Sequence, residues 1–411
     1  MDETIVLGLG LSGLAAAEFL LKQGVSVLGV DGNRSLLDSL KEKGMRCCHE
    51  SEVNTPFNRL VVSPGISPNH FLYKKAREQG IEVIGEAELA LPHFHKPLVA
   101  ITGTNGKTTV TLLVEHILNA AGVQAKALGN VGTSLCSYLL HPVECDAFVV
   151  ELSSFQLETM HTPVFEAAAL LNITPDHLDR YASMQEYAEA KCHLGTLVKN
   201  RDAFYVHSKV VAEYGDLLKN YQTYDVIDSI IPLEYRERGR HDVENALAAW
   251  ALCRPFSIDA ATFQSALLSF KKPPHRIEFV SEIDGIYYYD DSKGTNLDAS
   301  IQAVKAMKGP VILIAGGIDK GASYLLWKEP FLGKVKHIIV IGQAADKIER
   351  ELNPYFNIKR AETLGCAVAL ASSIAEKGDH VLLSPGCSSY DMFRDYAHRG
   401  EEFQHQVKRR K

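Results

Sequence analysis

At 411 residues the chain is long enough for two to four domains of roughly 150 residues each, and three is the working number. With 46% hydrophobic and 23% charged residues it has the apolar content for packed cores, which excludes the disordered class. A net charge of −7 excludes a general nucleic-acid binder, and no apolar run reaches the ~18 residues of a membrane span.

The acidic start Met1-Asp2-Glu3 leads straight into a β-rich run, which argues against a secretion signal. Eight cysteines include the neighbours Cys47 and Cys48 but form no C-x-x-C pair, so reduced thiols in a cytoplasm are expected rather than zinc or a redox dithiol. The terminal Lys408-Arg409-Arg410-Lys411 is the one basic run and reads as a solvated tail.

Residues 4–8 are a short β-rich run, 12–22 carry helical periodicity, and 26–31 turn apolar again and end in Asp31. That βαβ unit continues through an apolar run at 59–63, a helical stretch at 69–79 and a strand at 81–84, which implies a parallel, doubly wound sheet. Pro92 and Pro97 frame a polar link where the first domain ends, giving a Rossmann-like domain over 1–93. A second α/β series opens at 98–102, has further strands at 147–151 and 167–173, and runs to about Phe270. The tandem prolines of Lys271-Lys272-Pro273-Pro274 stop the helix before them, so 94–272 is expected as a central P-loop ATPase-like domain. Strands at 311–315, 337–341 and 380–384, with a helix at 297–307, make 273–411 a C-terminal Rossmann-like domain. The expected class is therefore α/β with three domains.

Two glycine-rich turns carry chemistry. Gly103-Thr104-Asn105-Gly106-Lys107-Thr108-Thr109 follows a strand and opens a helix, so backbone N–H groups and the helix dipole converge where a triphosphate sits. Lys107 neutralises β/γ-phosphate charge and the Thr108 hydroxyl completes a Mg²⁺ shell. The general pattern wants a glycine at the position of Ile101, so the loop is of a shortened type. Gly8-Leu9-Gly10-Leu11-Ser12-Gly13, with Asp31 ending the second strand, matches a dinucleotide fingerprint. By itself that turn means NAD, FAD or another nucleotide diphosphate.

Four further stretches follow in order: Glu151-Leu-Ser-Ser-Phe-Gln156, Asn172-Ile-Thr-Pro-Asp-His-Leu-Asp-Arg-Tyr181, Pro274-His275-Arg276 and Asp291-Ser-Lys-Gly-Thr-Asn296. Together with the phosphate loop they make the chain resemble the Mur ligases over essentially its whole length. The short first domain and Leu383-Ser-Pro-Gly-Cys-Ser-Ser-Tyr-Asp-Met-Phe393 resemble the members that add D-glutamate.

The resemblance implies that ATP phosphorylates the terminal carboxylate of UDP-N-acetylmuramoyl-L-alanine and that the amine of D-glutamate then displaces phosphate, in cytoplasmic peptidoglycan precursor synthesis. A carboxylate is a poor electrophile until its oxygen leaves as phosphate, and this transfer needs charge compensation more than covalent help. Glu151 and His177 match magnesium ligands, and Lys191 matches a lysine carried as a carbamate. Asn245, Arg276, Asp291 and Lys293 match nucleotide contacts, beside the loop residues 103–109, and imply closure of the third domain over ATP. Leu11, Ser12, Asp31, Arg34 and Asn130 match contacts to the UDP substrate. Thr295, Lys320, Ser389 and Tyr390 match the D-glutamate pocket. Two departures stand out: Asp242 where the family motif has Asn, and Ser323-Tyr324 in place of Asp-Phe.

A monomer without nucleic-acid or membrane partners is expected. A sister ligase with another amino acid is the nearest alternative, although folate-extending enzymes begin at the phosphate loop whereas a whole domain precedes Gly103 here. A dinucleotide-dependent oxidoreductase or a nucleotide-driven switch are the alternatives of other classes, and both leave Glu151, His177 and the third domain without a task.

Overall fold

The structure is a computed structural model that describes residues 3–224 and 229–410. Among these residues the strands form three sheets. The first holds β1 (Thr4–Leu7), β2 (Val27–Asp31), β3 (Cys47–His49), β4 (Arg59–Val62) and β5 (Glu82–Gly85) in the order β3-β2-β1-β4-β5, every pair parallel. The order reverses between β1 and β4, so the crevice outside the carboxyl ends of these two strands is where such a sheet takes ligands.

The second sheet is β6 (Leu98–Thr102), β7 (Ala125–Gly129), β8 (Ala147–Glu151), β9 (Ala167–Leu170), β10 (Phe204–Val206) and β11 (Gln222–Thr223), ordered β11-β10-β9-β6-β8-β7 and again parallel. Every residue of β6, β8 and β9 is buried, which is why these strands read as unbroken apolar runs rather than alternating ones.

The third sheet is β12 (Glu278–Ile283), β13 (Ile286–Asp290), β14 (Val311–Gly316), β15 (Val335–Ile341), β16 (Asn357–Arg360) and β17 (His380–Leu383), in the order β12-β13-β17-β14-β15-β16. The strands expected from sequence at 311–315, 337–341 and 380–384 are present as β14, β15 and β17 and pair in parallel, whereas β12 and β13 were not expected. β12 and β13 form an antiparallel hairpin closed by Asp284-Gly285, both at positive φ (53° and 79°), the geometry that Asp-Gly favours. The short or polar β3, β7, β10, β11 and β16 also lacked an apolar period that sequence could expose.

The chain divides into two compact units. The first comprises residues up to Ile173 together with Gln185–Phe270, and thus the first two sheets; the second comprises Thr174–Met184 and the residues from Lys271 on. Within the first unit two nearly buried carboxylates fasten the first sheet's end to the second sheet's loops. Glu86 accepts the Cys136 N–H, and Glu88 accepts the N–H groups of His161 (2.9 Å) and Thr162 (3.3 Å). Burial pushes the Glu86 carboxyl above the usual range, and the bonds from the 134–136 turn oppose that shift.

Candidate functional site

In the first unit β6 ends in the glycine loop, and the helix Lys107–Ala120 begins directly after it. Gly103 (φ 152°) and Gly106 (φ 86°) hold conformations that side chains resist, and a Cβ on Gly106 would stand 2.6 Å from Asn245 Oδ1. Its N-cap residue, Gly106, has no side chain to cap it and its first turn carries no acid, so its N–H groups and positive dipole end suit an anion. Lys107 Nζ folds back to donate to the carbonyls of Gly103 (2.8 Å) and Thr104 (2.9 Å).

The loop is braced from β9's end: Asn172 accepts from Asn105 N–H through Oδ1 (2.8 Å), returns Nδ2 to Asn105 O (3.0 Å), and its carbonyl takes the Thr104 N–H (2.9 Å). From the helix Met184–Cys192 come Tyr187, whose hydroxyl is 3.1 Å from Thr104 Oγ1, and Lys191, only 1% exposed, which donates to Gly103 O at 2.9 Å. Lys191 Nζ also lies 4.7 Å from the Tyr187 ring centre.

Glu151 ends β8, in register with Ile101 on β6, which places its carboxylate beside the strand that opens the loop. It is 2% exposed; Oε1 accepts Asn130 Nδ2 at 2.8 Å, and Oε2 is buried with no hydrogen-bond partner among the described residues. A buried carboxylate oxygen left so is costly unless something else binds it. Asn245 is buried on the helix Arg240–Cys253, and Asp242 sits in that helix's first turn, where the dipole accepts an acid.

At the front of the first unit, Ser63 Oγ donates to Gly8 O (2.7 Å), and a Cβ on Gly13 would stand 1.8 Å from the same oxygen, so only glycine lets the helix Leu11–Lys22 start this close to β1. Asp31 accepts the N–H groups of Leu9 (2.7 Å) and Asn33 (2.8 Å) and thereby holds the turn's shape. Leu11 is 93% exposed at the mouth of the turn, Ser12 half-buried beside it, and exposed Arg34 pairs with Glu52 at 3.2 Å.

The second unit gathers the remaining residues at three turns. Lys320 Nζ is 3.0 Å from Asp176 Oδ1, with Asn296 Nδ2 3.5 Å from the other oxygen; these side chains line a small recess with Asp319 and Tyr324. His177, at φ 56°, places Nε2 3.5 Å from Asp176 Oδ2. The Lys320 turn and the turn of Ser389 and Tyr390 are bridged by mutual backbone bonds between Ile318 and Ser388 (2.9 and 3.2 Å). Ser389 is buried and Tyr390 is 71% exposed. The Ser323-Tyr324 departure is absorbed structurally: both donate to Glu351, and the Tyr324 hydroxyl, which phenylalanine lacks, lies 3.0 Å from Cys387 Sγ.

At the third turn Asp291 accepts Ser384 Oγ (2.7 Å) and Ile277 N–H (3.2 Å), Lys293 Nζ stands 3.7 Å over the Tyr396 ring, and half-buried Thr295 donates its N–H to Lys293 O (2.9 Å). Half-buried Arg276 lowers the Asp291 carboxyl by its charge, whereas neighbouring Asp290 raises it. Asp290 in turn accepts His275 Nδ1 at 2.7 Å and holds the imidazole above its ordinary range against the opposing effect of burial.

Burial dominates at Asp291 and pushes it up to about 7. Its folded-state value lies above the unfolded one, so the stability it contributes is full below the ordinary carboxylate range and is lost as pH rises through about 7. The Asp291→Asn protein should therefore gain stability relative to the parent as pH is raised from about 5 to about 8, measured by denaturant unfolding in the absence of nucleotide. A difference that stays constant with pH would rule out a protonated Asp291.

Sequence reasoning passed over Asn172, Tyr187, Asp176 and the residues that support the 291–293 turn. Asn172 and Asp176 stood inside a quoted motif, and an asparagine one step past an apolar strand was the available signal for the first. Tyr187 had none beyond helical spacing to Lys191.

A phosphate loop at the end of a parallel strand, with a buried carboxylate ending the adjacent strand, defines an enzyme that handles nucleoside triphosphate phosphates. Sequence profiles agree on the narrower class: the Mur ligase MurD-like N-terminal domain matches residues 2–85, the Mur ligase middle domain 101–228 and the Mur ligase glutamate ligase domain 275–387. The chain belongs to the Mur ligase family and is an ATP-dependent ligase.

A UDP-N-acetylmuramoylalanine–D-glutamate ligase of Protochlamydia amoebophila is 47% identical, covering 99% of this chain and 98% of that protein. The ligase of the same name from Chlamydia caviae is 37% identical over 99% of this chain and 97% of its own. Among solved structures, MurF from Acinetobacter baumannii aligns with TM-score 0.64 at 16% identity over 98% of this chain and 93% of that one. MurF from Thermotoga maritima in complex with ADP aligns with TM-score 0.60 at 14% identity over 94% and 96%. These two share the fold. No helix among the described residues is long and apolar enough to cross a membrane.

Proposed function

We propose that this chain joins D-glutamate to the L-alanine carboxylate of UDP-N-acetylmuramoyl-L-alanine with conversion of ATP to ADP and phosphate, as a cytoplasmic monomer of peptidoglycan precursor synthesis that needs neither nucleic acid nor membrane. The observation that carries the reading is end-to-end identity of 47% to a D-glutamate ligase in a chain that presents a phosphate loop beside a buried carboxylate oxygen without a hydrogen-bond partner among the described residues. Residues 1–93 take the UDP moiety through Leu11, Ser12, Asp31 and Arg34, 94–272 the triphosphate, and 273–411 the amino acid.

The donor set fits magnesium. In the first unit Glu151 Oε2 is a hard oxygen with no hydrogen-bond partner among the described residues, and the Thr108 hydroxyl and a carbamate on Lys191 would add oxygen donors there; His177 is proposed as a further ligand on the family resemblance. Bound there, magnesium supplies charge compensation for the transferring phosphoryl group. As a carbamate, Lys191 keeps one N–H to donate to Gly103 O while adding an anionic group.

The loop N–H groups and Lys107 hold the β- and γ-phosphates, while Asn245, Arg276, Asp291 and Lys293 hold the rest of the nucleotide. Asn130 fixes the orientation of Glu151 and meets the muramoyl substrate. The substrate carboxylate oxygen takes the γ-phosphoryl group and ADP leaves. The D-glutamate ammonium gives one proton to solvent, its amine nitrogen bonds to the acyl carbon, the C–O bond to phosphate breaks with phosphate leaving, and a second proton passes to solvent while the third stays as the amide N–H. Lys320 and Thr295 hold one carboxylate of the amino acid, and Ser389 with the backbone near Tyr390 holds the other.

Phosphate release with ATP, Mg²⁺ and UDP-N-acetylmuramoyl-L-alanine should require D-glutamate and fail with L-glutamate, L-alanine or no amino acid, the ligated product being identified by mass. Product with another amino acid only would move the assignment to a sister ligase; nucleotide binding without any product would sink it.

A further inference from the structure

The last helix, Tyr396–Lys408, carries a buried cation that the reaction as described does not use. Arg399 is 1% exposed, and its guanidinium bonds two different turns: Nε donates to Ser292 Oγ (3.0 Å) and Nη2 to Ser292 O (2.8 Å), while Nη1 and Nη2 both reach Cys387 O (3.2 Å each). Ser292 lies between Asp291 and Lys293, assigned to the nucleotide. Cys387 lies two residues before Ser389, assigned to the amino acid. Burial lowers Arg399 to about 10, so it is still charged at neutral pH.

The same face of this helix continues the contact. Tyr396 lies under Lys293 and its carbonyl accepts Ser292 Oγ (2.7 Å); Gln404 donates to Asp290 (2.9 Å); and a Cβ at Gly400 would stand 2.2 Å from the His275 ring. The two turns also touch directly, through Gly386 N–H to Gly294 O (2.8 Å) and Ser384 Oγ to Asp291 (2.7 Å). Arg399 adds a charged bond to each from a third element, and charged donors on carbonyls are the stronger bonds. A planar fork that spans two acceptors is also something lysine does not reproduce.

We infer that Arg399 is a positioning residue that ties the nucleotide turn at 291–293 to the amino-acid turn at 387–390, so that ordering either turn orders the other. The inference rests on the assignment of those turns to ATP and D-glutamate under the proposed function. Coupling of this kind is a free energy shared by two sites and must be visible from both.

The test uses the full chain and three variants. Arg399→Lys should raise KM for ATP and KM for D-glutamate together, each by about tenfold, the worth of one charged hydrogen bond, with KM for the UDP substrate unchanged. Tyr396→Leu, which removes the ring under Lys293 and beside His275, should raise KM for ATP more than KM for D-glutamate. Arg399→Ala should recover both KM values on addition of guanidinium chloride at low concentration and not with sodium chloride. A change in one KM alone in Arg399→Lys, or a fall in kcat with both KM values intact, would reduce Arg399 to a packing residue.

Hydrogen exchange reads the tie without the reaction. In Arg399→Lys, amides of the 291–293 and 387–390 turns should lose protection together, ahead of the central strands β14 and β17. Protection lost in only one turn, or evenly through the sheet, overturns the inference. A parent protein without ligase turnover would instead overturn the proposed function, and the exchange result would decide the tie separately.

Discussion

Glu151→Gln should lose turnover by a factor on the order of 10³, the scale seen when one preorganised electrostatic group is removed from a polar transition state. Its Oε2 is buried and has no hydrogen-bond partner among the described residues, while Oε1 is held by Asn130, so the carboxylate is oriented with one hard donor kept for a cation. The same substitution removes a buried negative charge. The thermal midpoint without ligands should therefore hold or rise, which separates loss of chemistry from loss of fold. In the parent protein Mg²⁺ with ATP should raise the midpoint by binding only the folded state, and that rise should shrink in the variant. A variant that turns over within tenfold of the parent, or that melts lower and responds to Mg²⁺ as before, would show that Glu151 holds the sheet rather than the metal.

Lys320→Met should raise KM for D-glutamate by about 10- to 100-fold, the equivalent of one or two charge-assisted bonds to a carboxylate. It should also destabilise the second unit by about 3 kcal/mol, because Asp176, 7% exposed at its side chain, loses the cation 3.0 Å away. The double variant Lys320→Met with Asp176→Asn distinguishes the two effects: stability should return toward the parent value while KM for D-glutamate stays high. If the double variant restored KM as well, the pair would be a structural clasp and the amino-acid carboxylate would be bound elsewhere. If Lys320→Met changed stability but left KM untouched, the pocket assignment would fall.

The two substitutions probe different levels of legibility. Glu151 was readable because it ends an apolar run of strand length, and a carboxylate at the carboxyl end of a parallel strand is where ligands meet such sheets. Lys320 was named only through family resemblance. Nothing in the spacing of Gly316-Gly-Ile-Asp-Lys320 shows that its partner is Asp176, which lies 144 residues earlier in the chain. The antiparallel hairpin of β12 and β13 went unread although Asp284-Gly285 announced it, because the alternating α/β pattern before it set an expectation of parallel strands.

What the sequence by itself determined are the features whose cause is local. A strand followed by glycines at 103 and 106 and then by a helix makes an anion site wherever it folds, because the N–H groups and the dipole belong to neighbouring residues. The turn at 8–13 follows the same rule, and the order of apolar runs determined an α/β chain with three sheets. Only the tertiary structure decided which groups stand beside these features. It set Asn172 as the brace of the phosphate loop, Asn130 as the holder of Glu151, Asp176 as the counter-charge of Lys320, and Arg399 as the tie between two turns. Each of these depends on a polar atom meeting another across a long stretch of chain at hydrogen-bond distance. Hydrophobic periodicity carries no information about that meeting, since it specifies which face of an element is buried and not which polar group it finds there.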